Sequence, residues 1–242
     1  MAHILLTHGY FLSEDEKEQQ IMKPYPPLGL LYLSAYLKKQ GHSVEIYDST
    51  FGTRAELESK IQEMPRGIVG IYTNLVTRGS VLKVIECARA VEATVILGGP
   101  ESANYPTEYL RYGADVVVVG EGESTLSDLM SALPSLGKHR LNDVRGIVFK
   151  SDTGGTITTG DRGKINDLDT LPWPDREAID HHKYLNVWRK YHGASSINLI
   201  TARGCPYRCT WCSHAVYGYS HRRRSAANVA MYESFATPGS SR

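Results

Sequence analysis

The sequence predicts an α/β protein built on a Rossmann-like, doubly wound parallel sheet. Strand-like and helix-like patterns alternate through its first 135 residues, the order expected of successive β–α units. The strand-like runs are almost continuously apolar and rich in β-branched residues, which marks strands covered on both faces. Gly, Asn, Asp or Pro bounds the runs.

The predicted strands are His3-Ile-Leu-Leu-Thr7, Ser43-Val-Glu-Ile-Tyr-Asp48, Gly67-Ile-Val-Gly-Ile-Tyr-Thr73, Thr94-Val-Ile-Leu97 and Asp115-Val-Val-Val-Val119. Between them, Leu28 to Gln40 gathers Leu30, Leu31, Leu33, Tyr36 and Leu37 broadly on one side and stops at Gly41, a residue suited to a helix C-terminus. Arg54 to Met64 ends before Pro65. Ser80 to Val91 carries Val81, Val84, Ile85 and Ala88 at helical spacing, Pro106 to Tyr112 stops at Gly113, and Glu123 to Leu133 stops at Pro134. Val144-Arg-Gly-Ile-Val-Phe149 and Thr156-Ile-Thr-Thr159 flank a Gly-rich turn and predict a β-hairpin. Residues 166–180, with Asp169-Thr-Leu-Pro-Trp-Pro174, read as an extended, Pro-punctuated linker. A last apolar run, Ile197-Asn-Leu-Ile200, reads as a strand leading into a cysteine-rich loop. The organisation is thus a Rossmann-like domain over 1–140, a hairpin and linker over 141–190, and a further segment over 191–242.

Composition sets bounds on function. The chain has 242 residues, 41% apolar and 22% charged, with a net charge of +1, so neither nucleic acid nor an anionic membrane is expected as the main electrostatic partner. The first residues do not read as a secretory leader, no run approaches the length of a membrane span, and the cysteines do not form a secreted disulfide framework. A cytoplasmic location is the expectation. The basic run His221-Arg-Arg-Arg224 reads most simply as a solvated loop.

In an open α/β sheet, ligands bind outside the carboxyl ends of the strands. The loops there are His8 to Pro27 after the first strand, Thr73-Asn74 after the third, Gly98-Gly-Pro-Glu101 after the fourth and Gly120-Glu-Gly-Glu123 after the fifth. Glycines at such turns allow close ligand approach or serve only the turn geometry. No G-x-G-x-x-G follows the first strand and no G-x4-G-K-[ST] occurs, which weakens dinucleotide and P-loop readings. Three of the four cysteines fall at Cys205, Cys209 and Cys212, spaced C-x3-C-x2-C. Thiolates this close suit an iron–sulfur cluster or zinc, the zinc reading taking His214 as fourth ligand; inert cysteines are the remaining alternative. Three thiolates leave one iron of a four-iron cluster open to a substrate or cofactor. Cys87, inside a predicted helix, reads as a small core residue.

Several of these motifs carry a resemblance. Pro26-Pro-Leu-Gly-Leu-Leu-Tyr-Leu33, the Gly98-Gly-Pro100 turn and Gly120-Glu-Gly-Glu123 resemble the cobalamin-binding domain that precedes many radical S-adenosylmethionine (SAM) enzymes, over roughly residues 1–135. The resemblance implies a corrinoid above the strand ends with its nucleotide tail entering the sheet. His8, Gly9, Thr73, Asn74, Gly98, Gly99, Pro100, Gly120, Glu121, Gly122 and Glu123 would then line the cobalamin pocket. The D-x-H-x-x-G loop of cobalamin mutases is missing, so His8 is the candidate axial ligand, against a purely structural histidine.

Ala202-Arg-Gly-Cys-Pro-Tyr-Arg-Cys209 with Cys212 is similar to the radical SAM signature. It implies a [4Fe-4S] cluster held by Cys205, Cys209 and Cys212, SAM chelating the fourth iron, and Trp211 packing near the SAM adenine. Such a protein would use cobalamin and a 5′-deoxyadenosyl radical to methylate, or to oxidise or cyclise, an unactivated carbon of a small-molecule substrate. Its electron donor would be of flavodoxin or ferredoxin type. The chain resembles a member that stops early in the radical SAM partial barrel, with Met231 onward matching neither a helix nor a family motif; a second polypeptide is one route to the missing barrel. The alternative is a stand-alone corrinoid-binding module with a non-catalytic cysteine loop.

Overall fold

The computed structural model describes residues 2–133, 138–151, 153–212 and 220–236. Strand β1 is His3–His8, followed by α1 (Glu16–Ile21), α2 (Leu28–Lys39), β2 (Ser43–Tyr47), α3 (Arg54–Gln62), β3 (Ile68–Tyr72) and α4 (Arg78–Ala90). Then come β4 (Thr94–Gly98), α5 (Pro100–Asn104), α6 (Pro106–Tyr112), β5 (Val116–Val118) and α7 (Gly122–Ala132). The sheet order is β2-β1-β3-β4-β5, all parallel, so all five predicted strands form where expected.

Alternation along the strands explains the double winding. Leu5, Val69, Val95 and Val117 point to one face and pack with Leu57 and Ile61 of α3, Val81 and Ile85 of α4 and Leu110 of α6. Ile4, Leu6, Ile96, Val116 and Val118 point to the other, against Leu30 and Leu37 of α2 and Leu126, Leu129 and Met130 of α7. Each fully buried Leu or Ile gains about 1.5–3 kcal/mol of transfer free energy, so both helical layers are held by the same strands.

The predicted hairpin forms as β6 (Ile147–Lys150) and β7 (Thr156–Thr158) around Gly154, whose φ of 85° suits glycine. It does more than follow the sheet. β6 pairs antiparallel with β5, and the hairpin extends the sheet to seven strands. Three helices escaped the sequence reading. α1 lies inside the long first loop and has no buried residue, so it leaves no apolar pattern. α5 is a single short turn opened by Pro100. Helix α8 (His181–His192) does have a signal, Tyr184 and Trp188 four residues apart and a left-handed Gly193 at its end.

Three expectations need correcting in the last segment: the strand at 197–200, the absence of a helix from Met231 onward, and the solvated basic run. Residues 197–200 are extended but form no strand. Their polar groups go to side chains and loops instead: Tyr32 Oη donates to the Ile200 carbonyl at 3.1 Å, Arg176 Nη2 to the Asn198 carbonyl at 2.7 Å, and Asn198 Nδ2 to the Pro26 carbonyl at 3.0 Å. The short ribbon β8 (Ala202–Arg203) and β9 (Arg222–Arg223) follows, and helix α9 then runs Ala226–Ala236, through Met231. The basic run is not a solvated loop either, because Arg222 and Arg224 are buried. Arg224 donates to the carbonyls of Leu171 and Pro172 and stacks 4.0 Å from the Trp173 ring, which itself stacks on Tyr232 of α9.

Helix α8 is fastened to the sheet by a buried polar chain. Tyr10 N–H donates to His8 Nδ1, leaving Nε2 to donate to Asp48 Oδ1 at 3.0 Å, while Tyr184 Oη of α8 donates to Asp48 Oδ2 at 2.5 Å. Burial works to raise the Asp48 carboxyl, but hydrogen bonds from His8, Tyr184 and Thr50 outweigh it and hold the group below its usual range. Burial, reinforced by the Asp48 charge, pushes the Tyr184 phenol well above its ordinary value, so it remains a donor. A carboxyl depressed in the folded state contributes stability above its unfolded pKa of about 3.9 and loses that contribution as pH falls through the folded value. Asp48→Asn is therefore expected to lower stability at pH 7 by about 1–3 kcal/mol. In urea titrations, the gap to the unsubstituted chain should close below about pH 4; a gap constant from pH 7 to pH 3 would contradict the assignment.

Candidate functional site

A cavity of about 620 Å³ opens at the carboxyl ends of β1, β3, β4 and β5, on the α2 and α7 side of the sheet. The position follows from topology. β1 and β3 are neighbours but not consecutive, so the flanking connections diverge there and leave a crevice. The floor is Leu6, Gly70, Ile96 and Val118; the rim is Gly98, Gly99, Pro100, Gly120, Glu121, Gly122 and Glu123; Gly29 and Leu33 of α2 form one wall. A further wall, which packs beside α2, comes from the last segment: Ile200, Arg203, Gly204, Cys205 and Cys212.

The glycines do two different jobs. At Gly29, Gly98 and Gly120 an added Cβ would meet nothing within 4 Å, so these positions leave space for a ligand; Gly120 also holds a φ of +86° that favours glycine. At Gly70 a Cβ would lie 2.7 Å from Leu6 Cδ2, and at Gly99 it would lie 2.3 Å from the Thr73 carbonyl with φ at +109°. Those two are required by the protein itself.

Of the residues proposed from the sequence, nine meet at this cavity: Gly98, Gly99, Pro100, Gly120, Glu121, Gly122, Glu123, Cys205 and Cys212. His8, Gly9, Thr73, Asn74, Cys209 and Trp211 are not among its lining residues. His8 is hydrogen-bonded to Asp48, Tyr10 and Ser49. Gly9 packs against Val81, where an added Cβ would come within 3.0 Å. Thr73 is wholly buried beneath the Gly98-Gly99 turn, donating to the Gly98 carbonyl and accepting from Ser102 N–H. Asn74 and Thr77 cap each other's backbone at the start of α4. Trp211 is 87% exposed on the cysteine loop.

Sequence reasoning overlooked Leu6, Gly29, Tyr32, Gly70 and Arg203. Gly70 was findable, since a glycine inside a strand pattern signals close approach of a neighbouring group. Arg203 was not, because its role depends on chain reversal 80 residues away.

Two glutamates of the rim are already engaged. Arg203 Nη2 donates to Glu123 Oε1, and Arg203 Nη1 lies 3.6 Å from Glu121 Oε1. Arg222 Nη1 lies 2.7 Å and 3.0 Å from the two oxygens of Glu121 and also donates to the Ile165 carbonyl at 2.7 Å. Ile165 N–H donates back to Glu121 Oε2 at 2.7 Å. All four charged side chains are at most 8% exposed.

The donors suit the cofactors the motifs imply. A deep trough lined by glycine backbone and aliphatic side chains accepts part of a corrinoid, whose bulk exceeds the cavity. The cysteine loop starts at Gly204, with φ of 79°, and turns through a Cys212 N–H to Cys209 carbonyl hydrogen bond of 3.2 Å. Cys205 is half-buried, and Cys209 and Cys212 are exposed. Among the described residues no three His, Cys, Asp or Glu side chains converge as a metal site, so ligation would have to draw the three sulfurs together. His214, the fourth ligand of the zinc reading, lies outside the described residues. Cys87 is half-buried beside the core cluster, and burial raises its thiol. Among the described residues no helix is long and apolar enough to cross a membrane.

Residues 20–130 match the B12 binding domain family, and the glycines of the crevice floor, rim and α2 wall fall within that stretch. The chain is 30% identical over 211 residues to Uncharacterized methyltransferase PH0819 of Pyrococcus horikoshii, covering 84% of this chain and 44% of that protein. It is 27% identical over 219 residues to the anaerobic magnesium-protoporphyrin IX monomethyl ester cyclase of Rubrivivax gelatinosus, covering 87% and 39%. The structure of OxsB, a cobalamin-dependent S-adenosylmethionine radical enzyme with aqua-cobalamin and S-adenosylmethionine bound, aligns with a TM-score of 0.77 at 22% identity, over 96% of this chain and 31% of that one. The likeness to OxsB is one of fold. The chain is similar to proteins that carry a B12-binding domain, and it spans less than half the length of these relatives.

Proposed function

We propose that the chain forms the cobalamin-binding and cluster-binding part of a cobalamin-dependent radical SAM enzyme that methylates, or oxidises or cyclises, an unactivated carbon of a small molecule. The observation that carries this reading is the shared cavity: the glycine rim of the B12-binding domain and Cys205 and Cys212 of the cysteine loop line the same space. Similarity to proteins named as methyltransferases and cyclases favours an enzyme over a stand-alone corrinoid module.

In this reading Cys205, Cys209 and Cys212 hold a [4Fe-4S] cluster, and SAM binds beside it with Trp211 available to its adenine. When bound, these cofactors supply one-electron cleavage of SAM and a transferable methyl group. The chain's own residues do the positioning. Gly29, Gly98 and Gly120 keep the trough open, and Leu6, Leu33, Ile96 and Val118 give it an apolar surface that disfavours water. Gly204 turns the chain so that Cys205 faces the cavity. The electron would come from a flavodoxin- or ferredoxin-type donor.

The test is reconstitution of the chain without oxygen, with iron, sulfide and hydroxocobalamin. About four irons and four sulfides per chain, with saturable uptake of one cobalamin, support the reading. A chain that takes up cobalamin but no cluster is the stand-alone module, and one that takes up neither refutes both.

A further inference from the structure

The Gly120-Glu-Gly-Glu123 loop divides its work by residue type. All four residues line the cavity, and the two glutamates also bind arginines that arrive from the far end of the chain. The β8–β9 register sets Arg203 directly opposite Arg222, so one two-stranded ribbon presents both guanidinium groups side by side. Arg203 immediately precedes Gly204 and Cys205, and Glu123 sits in the first turn of α7, where the helix end favours a carboxylate. Tyr32 adds to the junction, holding the Ile200 carbonyl and lying under the guanidinium groups of Arg203 and Arg224, each 5.8 Å from its ring. Two carboxylates and two guanidinium groups make a neutral buried set. Removing one side leaves buried charge without a counter-ion, which costs far more than an exposed pair would.

We propose that Glu121 and Glu123, with Arg203 and Arg222, are positioning residues that latch the cysteine loop onto the cobalamin crevice, so that filling the crevice and docking residues 200–212 and 220–224 are thermodynamically linked. The linkage rests on the cofactor reading above; the latch does not. The argument is geometric. One wall of the cavity consists of Ile200, Arg203, Gly204, Cys205 and Cys212, and Arg203 is held to the 120–123 wall by the latch. A ligand that touches both walls binds the docked state better than the undocked one, and by reciprocity must strengthen docking. Neither glutamate needs to contact the corrinoid for its loss to weaken binding.

The experiment compares the full chain with its Glu121→Gln/Glu123→Gln double variant, near-isosteric changes that remove only charge. Hydrogen–deuterium exchange on peptides covering 197–212 and 220–225 is read with and without hydroxocobalamin, and hydroxocobalamin affinity by equilibrium dialysis. In the cobalamin-free state, exchange of both peptides should rise in the variant while that of β1, β3 and β4 stays unchanged. Affinity should fall roughly tenfold or more, and in the unsubstituted chain cobalamin should slow exchange at 222–224. Arg203→Lys, which keeps the charge, should retain part of both effects. Unchanged exchange of the two peptides in the variant overturns the latch. Raised exchange with unchanged affinity overturns the linkage. If the unsubstituted chain takes up no cobalamin, the cofactor reading fails and the linkage with it, while the exchange of the cobalamin-free chains still decides the latch. Should the double variant lose its secondary structure, Glu123→Gln alone is read by the same criteria.

Discussion

In Cys209→Ala, reconstitution without oxygen should yield almost no bound iron and no visible charge-transfer band, against about four irons per chain in the unsubstituted protein. The reason is the ligand count. Three thiolates are the minimum that leaves a single iron free, and no other His, Cys, Asp or Glu cluster among the described residues stands ready to replace one. Cys209 also does not line the cavity, so its loss removes a cluster ligand and leaves the crevice intact. Hydroxocobalamin uptake by Cys209→Ala should therefore match the unsubstituted chain. A retained band would show that the cluster is ligated elsewhere. Loss of cobalamin uptake together with the band would show that the cluster itself supports the crevice.

The second large effect is expected at Gly98. This residue ends β4 at the cavity rim, and its own Cβ would meet nothing within 4 Å. Gly98→Leu places four carbons where the ligand would lie, starting from a Cβ that meets no protein atom within 4 Å. Hydroxocobalamin affinity should fall roughly 30-fold or more, about 2 kcal/mol, while the unfolding midpoint stays close to that of the unsubstituted chain. Gly99→Ala is the contrast. At φ of +109°, with a Cβ 2.3 Å from the Thr73 carbonyl, it should lose about 1–3 kcal/mol of stability or more. Equal affinity in Gly98→Leu and the parent would mean that cobalamin does not use this crevice, whatever the family match.

The two glycines stand next to each other in the sequence and look the same there. Gly98 leaves room for a ligand; Gly99 leaves room for Thr73. The difference lies in what stands across from each, and that is set by β3 packing beside β4. The same holds for the polar residues after the strands. His8, Thr73 and Asn74 occupy the positions where an α/β sheet binds ligands, and all three are consumed by neighbouring loops: His8 by Asp48, Thr73 by Ser102, Asn74 by Thr77. A strand-end position marks a site only to within one loop, because the competing partners of His8 and Thr73 lie too far along the chain to be read locally.

Local pattern by itself determined the five parallel strands, the hairpin, the glycine rim and the cysteine loop. Each of these depends on periodicity, turn chemistry or ligand spacing within about a dozen residues. What only the tertiary structure decided was how the ends meet. The hairpin joins the sheet edge because β5 leaves an unpaired strand face there. Residues 197–200 stay outside any strand, their carbonyls taken by Tyr32 and Arg176. The basic run reads as solvent-exposed because four successive residues can carry charge, yet Arg222 and Arg224 are buried. Desolvating a guanidinium is tolerated only where carboxylates, carbonyls or rings already wait for it. Glu121, Leu171 and Trp173 provide them, from 51 to 101 residues earlier in the chain.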